Sequence, residues 1–257
     1  MSKLKILDLF SGIGGFSLGL GRTGGFETVA FCEIEEFPRK VLAKHWPEVP
    51  QYEDVRQLTG DILKRDGISI DVITGGFPCQ DISVAGKQAG IGEGTRSGLW
   101  SEIVRLISEL RPKYVILENV ANLLRGPSEQ PGKWFGRILS DLAECGYDAA
   151  WENIPASAVG ACHRRERVWI VAYASRARWK RHKQKTHGIC GEQRTSSTIM
   201  CDRSLYSTNE RLRANAIRNF DGLSRGVDRV KGLGNAVVPQ IPELIGNAIL
   251  TAEKDAA

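Results

Sequence analysis

The chain has 257 residues, 42% apolar and 25% charged, with a formal net charge of +5. That length holds one large α/β domain or a domain with a small appendage, and the composition is that of an ordinary globular protein. No apolar run approaches the ~20 residues of a membrane span, and the start MSKLKILDLFSG has neither an apolar core nor a small-residue cleavage site, so no signal peptide is expected.

Lys3 to Leu9 reads as an apolar strand and runs into FSGIGGFSLGL, where Phe16, Leu18 and Leu20 predict a glycine-rich turn opening a helix. Thr28 to Cys32 reads as a second strand, and Phe37 to His45 as a helix with Pro38 in its first turn. Ile70 to Thr74 is a third strand. Leu99, Ile103, Leu106, Ile107 and Leu110 have helical spacing, with Ser97 or Ser101 as the expected cap. Lys113 to Leu117 is an apolar strand, Trp134 to Cys145 is helical, and Ala149 to Ile154 and Val168 to Ala172 are strands. This alternation predicts a mostly parallel, doubly wound sheet. After Tyr173 the apolar periodicity fades, and a second region is expected from 175 to 231. The stretch GLGNAVVPQIPELIGNAIL regains helical spacing, so residues 232–257 are expected to return to the domain formed by 1–174.

The six cysteines (32, 79, 145, 162, 190 and 201) are scattered, which suggests a reducing cytoplasm rather than a disulfide framework. Charge is uneven. Residues 175–231 carry a balance of +9, and the rest of the chain −4. Such a segment suits a polyanion, because neutralising phosphates gives affinity independent of sequence. A merely solvated basic stretch would look the same.

In DLFSGIGGFS, Gly12, Gly14 and Gly15 lie between a strand and a helix, where backbone can approach a ligand and helix N–H groups are free. Glu33 ends the next strand, 19 residues after Gly14, where dinucleotide sites place an acid on ribose hydroxyls. The full GxGxxG pattern is absent, so a purely structural turn stays open. Asp54, in YEDV, is a weak signal alone.

Cys79 follows Pro78 at a strand-to-loop junction, in GGFPCQDIS. Glu118 ends the next strand, in YVILENV. His163, Arg165 and Arg167, in HRRERVW, have the period-two spacing that puts strand residues on one face. Each feature alone has a bland reading. Together, at strand ends of one sheet, they suggest a site.

With these residues the sequence resembles the DNA (cytosine-5)-methyltransferases of bacterial and phage type. DLFSGIGGF, CEIE, YEDV, DVITGGFPCQDIS, ENV, HRRERVWIVA and GLGNAVVPQ stand in that family's order, over most of 5–173 and 232–250. The resemblance implies a Rossmann-like methyltransferase fold with a small basic target-recognition insert, and S-adenosylmethionine as cofactor. It implies that Phe10, Ser11, Gly12 and Gly14 border the cofactor, that Glu33 holds its ribose and Asp54 its adenine amino group, and that Pro78 and Asn235 line the same site. It implies methyl transfer to carbon 5 of a cytosine in double-stranded DNA, through a covalent bond from Cys79 to carbon 6. The setting would be restriction-modification or phage DNA protection, with a cognate restriction endonuclease as potential partner and a cytoplasmic monomer as the working form.

The chemistry accounts for these residue types. Carbon 5 is a poor nucleophile until a thiolate adds at carbon 6 and makes it enamine-like. A carboxyl kept protonated by burial, Glu118, would neutralise charge developing at ring N3. Arg165 and Arg167 would stabilise negative charge on sulfur or ring. A base inside a duplex must be flipped out to meet them. QDISVAGKQAGIGEGTRSG fits a loop closing over that base, with Gly86, Gly90, Gly92 and Gly94 as hinges and Gln80, Ser83 and Lys87 as DNA contacts.

His163 stands where the family more often has Gln, and is retained as a substrate contact. The recognition region, about 57 residues, is short for the family; Trp179 and Tyr206 could stack or wedge there. His182, His187, Cys190 and Cys201 match no standard zinc spacing, so no metal is expected. Two other readings stand beside the main one: methylation of a tRNA, and a non-catalytic DNA-binding relative. A nicotinamide-dependent dehydrogenase would leave the Pro-Cys loop unexplained.

Overall fold

A computed structural model of the protein describes residues 2–77, 99–126, 131–174 and 236–256. Pro78, Cys79, Gln80, Ser83, Lys87 and Asn235 lie outside the described residues, as do the expected hinge glycines, the basic region 175–231 and its zinc-capable side chains.

Seven strands form one sheet: β1 (Leu4–Leu9), β2 (Phe26–Cys32), β3 (Gln51–Tyr52), β4 (Val72–Gly75), β5 (Tyr114–Val120), β6 (Tyr147–Pro155) and β7 (Glu166–Ala174). Their order is β3-β2-β1-β4-β5-β7-β6. The pairings from β3 through β5 are parallel, whereas β7 runs antiparallel to both β5 and β6. The central strands read as mostly apolar runs because a parallel sheet is buried on both faces. Strand order reverses between β1 and β4, and clefts form beyond the carboxyl ends of strands at such a point. The glycine turn leaves β1 and the Pro-Cys segment leaves β4, so both arise at this cleft.

The helices are α1 (Gly15–Arg22), α2 (Glu36–His45), α3 (Gly60–Arg65), α4 (Trp100–Leu110), α5 (Lys133–Glu144) and α6 (Gln240–Ala256). On one face, Leu63 of α3, Trp100, Ile103, Leu106 and Ile107 of α4 and Ile138 and Leu142 of α5 pack against Leu7, Leu9, Ile73, Val115 and Leu117. On the other, Phe16 and Leu20 of α1 and Ile241 and Ile249 of α6 pack against Ile6, Val72, Ile116 and Trp169. The α1–α6 contact needs glycine: a Cβ at Gly19 would lie 2.1 Å from the Pro239 carbonyl oxygen. Tyr114 Oη also donates to Glu253 Oε1 at 2.7 Å, tying α6 to the sheet.

The expected cap of α4 needs correction. Leu99 occupies the cap position with no side-chain cap bond, and Ser101 lies within the first turn of the helix; Ser97 is outside the described residues. Burial of Trp100, whose indole N–H donates to Asp141 at 2.6 Å, fixes the start of the helix. No helix among the described residues is long and apolar enough to cross a membrane.

Candidate active site

The turn after β1 is built by main-chain geometry. Phe10 (φ 51°), Gly12 (φ 51°) and Gly14 (φ 83°) are all left-handed. For Phe10 that conformation costs about 1–3 kcal/mol, which the surroundings must impose. Glu33 imposes part of it: Oε2 accepts the Gly12 N–H at 2.7 Å and Oε1 accepts the Glu35 N–H at 2.8 Å. Each carboxylate oxygen keeps a second lone pair facing other donors. The Ser11 hydroxyl donates to the Asp8 carbonyl at 2.5 Å, its N–H donates to the Cys32 carbonyl at 3.3 Å and its carbonyl accepts the Gly14 N–H at 2.9 Å, so Ser11 serves to shape the turn.

The two turn glycines differ. A Cβ at Gly12 would meet nothing within 4 Å, while one at Gly14 would lie 2.7 Å from the Trp46 ring. Gly12 thus faces open space where a ligand can approach the backbone, and Gly14 is a packing position. With the free lone pairs of Glu33, this cradle fits a nucleoside-bearing cofactor.

Asp54 lies after β3, beside the same carboxyl edge. Its carboxylate is gripped by Arg56, with the Arg56 Nη2 2.7 Å from Oδ2 and the Arg56 backbone N–H 3.0 Å from Oδ1. These bonds hold the Asp54 carboxyl below its ordinary value. Arg56 itself is largely exposed.

On the far side of the cleft, Glu118 faces Trp169 across the β5–β7 pair, and Arg167 is its diagonal neighbour. Arg167 Nε reaches Glu118 Oε1 at 2.9 Å, with 12% of the Glu118 side chain exposed. Burial pushes the Glu118 carboxyl up, and the positive charges of Arg167 and Arg165 pull it only part of the way back. Burial alternates along Ala161 to Arg167, so His163, Arg165 and Arg167 point inward while Cys162, Arg164 and Glu166 are exposed. The His163 Nδ1 is buried with no hydrogen-bond partner among the described residues.

Gly76 joins the two sides: a Cβ there would lie 3.3 Å from Glu118 Oε2. Asn119, on the opposite face of β5, donates to the Phe77 carbonyl at 3.2 Å. The backbone entering Pro78 and Cys79 is therefore pinned beside the Glu118 carboxyl. Cys79 is the third residue after Gly76, a reach of about 10 Å at full extension.

Sequence reasoning passed over three of these residues. Asn119 was hidden because it follows the more conspicuous Glu118. Arg105, on α4, donates to the Val55 and Leu58 carbonyls. Asp8, an acid inside an apolar strand, is fully buried and accepts the Ser17 hydroxyl at 2.8 Å and the Thr74 hydroxyl at 2.7 Å. It therefore ties α1 to β4, one on each side of the cleft.

Burial pushes the Asp8 carboxyl up to about 7 against its two hydroxyl donors. The folded protein binds this proton more tightly than the unfolded chain, so stability falls as pH rises from about 4 to 7 and then levels. Asp8→Asn is expected to flatten that decline, which reaches on the order of 4 kcal/mol, in urea denaturation across this range. An unchanged pH profile in the variant would place the decline elsewhere. Cys32 shows the same cause in a thiol: burial pushes it to about 12, which makes it inert.

Among the described residues no cluster of three or more His, Cys, Asp or Glu side chains is placed to hold a metal ion.

A family model described as C-5 cytosine-specific DNA methylase matches residues 4–219. The chain is 38% identical over 184 residues to the Type II methyltransferase M.Sau3AI of Staphylococcus aureus, covering 67% of this chain and 44% of that protein. It thus spans less than half the length of this curated relative. A prophage-encoded E. coli protein described as a DNA modification methyltransferase matches with a TM-score of 0.56 and 29% identity, over 67% of this chain and 47% of that one. The DNMT2 of Spodoptera frugiperda matches with a TM-score of 0.56 at 24% identity, over 71% and 54% of the two chains, and shares the fold.

Proposed function

The chain belongs to the C-5 cytosine-specific DNA methylase family, and on that premise we propose that it transfers a methyl group from S-adenosylmethionine to carbon 5 of a cytosine flipped out of double-stranded DNA. One observation carries the proposal: Glu118, a buried carboxyl with a raised proton affinity, is paired to Arg167 at 2.9 Å and lies on the side-chain side of Gly76, two residues before Pro78.

The Cys79 thiolate attacks carbon 6, forming the Sγ–C6 bond as the C5=C6 electron pair moves onto carbon 5 and the ring. Glu118 holds a proton at N3 and so limits negative charge on the ring. Arg165 and Arg167 offer donors to the ring oxygen. The bound cofactor supplies an electrophilic methyl group. Loss of the carbon 5 proton to a base then returns the electron pair, and the C6–S bond breaks. Phe10, Ser11, Gly12 and Gly14 border the cofactor, Glu33 shares its free lone pairs with the ribose, Asp54 accepts from the adenine amino group, and Pro78 and Asn235 complete the wall. Gln80, Ser83, Lys87 and His163 contact the DNA, and the basic 175–231 region reads the target. The chain acts as a cytoplasmic monomer in restriction-modification or phage DNA protection, with a cognate endonuclease as partner; the Type II designation of M.Sau3AI supports this setting.

Duplexes carrying 5-fluorocytosine test the proposal, because fluorine cannot leave as a proton does. A denaturation-resistant protein–DNA adduct that needs S-adenosylmethionine is the expected result. DNA binding without an adduct at any tested sequence would sink the enzyme reading. Bisulfite sequencing of DNA from expressing cells supplies the target sequence for the duplexes.

A further inference from the structure

We propose that Arg105 is a positioning residue that holds Asp54 at the adenine end of the cofactor cleft; this rests on the reading of Asp54 given above. Arg105 sits in the middle of α4, and its guanidinium uses both edges. Nη2 donates to the Val55 carbonyl at 2.9 Å and to the Leu58 carbonyl at 2.8 Å. Nε donates to Glu102 at 2.9 Å and Nη1 to Glu109 Oε1 at 2.9 Å. Glu109 then uses its other oxygen, Oε2, to accept the Gly60 N–H at 2.7 Å.

All of these bonds outside α4 fall on one segment, residues 55–60, which begins beside Asp54. That segment buries Val55 and Leu58 in the core but carries no strand or helix to fix its backbone. The two-residue β3 ends at Tyr52, and α3 begins only at Gly60. Between them, the Gln57 and Leu58 N–H groups close a turn on the Asp54 carbonyl at 3.0 and 3.1 Å. The carbonyls of Val55 and Leu58 have the charged fork as their donor. A planar guanidinium fixes two acceptors at once in a way that an ammonium cannot. Through this clamp α4 fixes the backbone on either side of Arg56, the residue that grips the Asp54 carboxylate, and so sets where that carboxylate lies.

A purely structural Arg105 would weaken the fold without altering which cofactor groups are recognised, so the test reads recognition. The probes are S-adenosylhomocysteine and its analogue lacking the adenine 6-amino group, titrated calorimetrically against the full chain. Wild type is expected to prefer the amino-bearing ligand about ten-fold, the scale of one well-formed hydrogen bond to a charged group. Asp54→Ala is expected to bring the ratio close to one. Arg105→Met is expected to do the same, and the double variant to go no further.

If Asp54→Ala erases the preference and Arg105→Met keeps it, the positioning role is overturned and the reading of Asp54 stands. If Asp54→Ala leaves the preference intact, the adenine reading fails and the proposal falls with it. Should Arg105→Met fail to fold by circular dichroism, Glu109→Gln decides. Its amide cannot accept from both Gly60 and Arg105, so a reduced ratio supports the clamp and an unchanged ratio overturns it.

Discussion

Cys79→Ser is expected to abolish methyl transfer, by about 10⁴-fold or more, while leaving S-adenosylmethionine binding largely intact. The hydroxyl is a far weaker nucleophile than a thiolate, and no cysteine among the described residues is suited to replace it. Cys32 is buried and pushed to about 12, Cys145 lies on the turn after α5, and Cys162 is exposed on the segment before β7. Transfer of a labelled methyl group to cognate duplex, beside calorimetric titration of the cofactor, separates the two readouts. If cofactor affinity collapses together with activity, Cys79 supports the fold of the site rather than the chemistry.

Glu118→Gln is expected to lower the rate of transfer by about 10²–10⁴-fold, the usual contribution of a positioned acid or base. Wild-type activity should rise with pH as Cys79 ionises, then fall as pH passes through the raised Glu118 value and the carboxyl loses the proton that ring N3 needs. The sign follows from burial, which favours the neutral acid despite Arg167 and Arg165. Gln has no proton to lose, so the falling limb should vanish in the variant while the rising limb remains. A variant with the same bell-shaped profile would assign the upper limb to another group. Arg167→Ala gives the converse: without its main counter-charge, Glu118 should hold its proton to still higher pH.

Much of the fold was legible because the central strands are buried on both faces and spell apolar runs, as in Lys3 to Leu9 and Lys113 to Leu117. β3, with two residues, and α3, with six, were too short for periodicity to register. The antiparallel turn of β7 and β6 was equally silent, since pairing direction leaves no local mark on a strand. In the site, Glu33 and Glu118 stood out as acids closing apolar strands. Arg105 and Asn119 could not, because their partners are main-chain carbonyls at positions distant in sequence, and a carbonyl carries no residue identity. Asp8 left a faint signal, a charge among Ile6, Leu7 and Leu9, but its hydroxyl partners Ser17 and Thr74 came only with the tertiary structure.

The packing of α6 on α1 imposes an order on how the protein is made. Phe16 and Leu20, immediately behind the glycine turn, are covered by residues beyond 236, which leave the ribosome after every strand of the sheet. Until then one face of the nascent sheet stays open to water, while the basic segment has already emerged. A nascent chain can meet nucleic acid before its cofactor side is complete. Translation stopped short of α6 would leave the glycine turn without its backing, and release a chain with exposed apolar surface prone to aggregation.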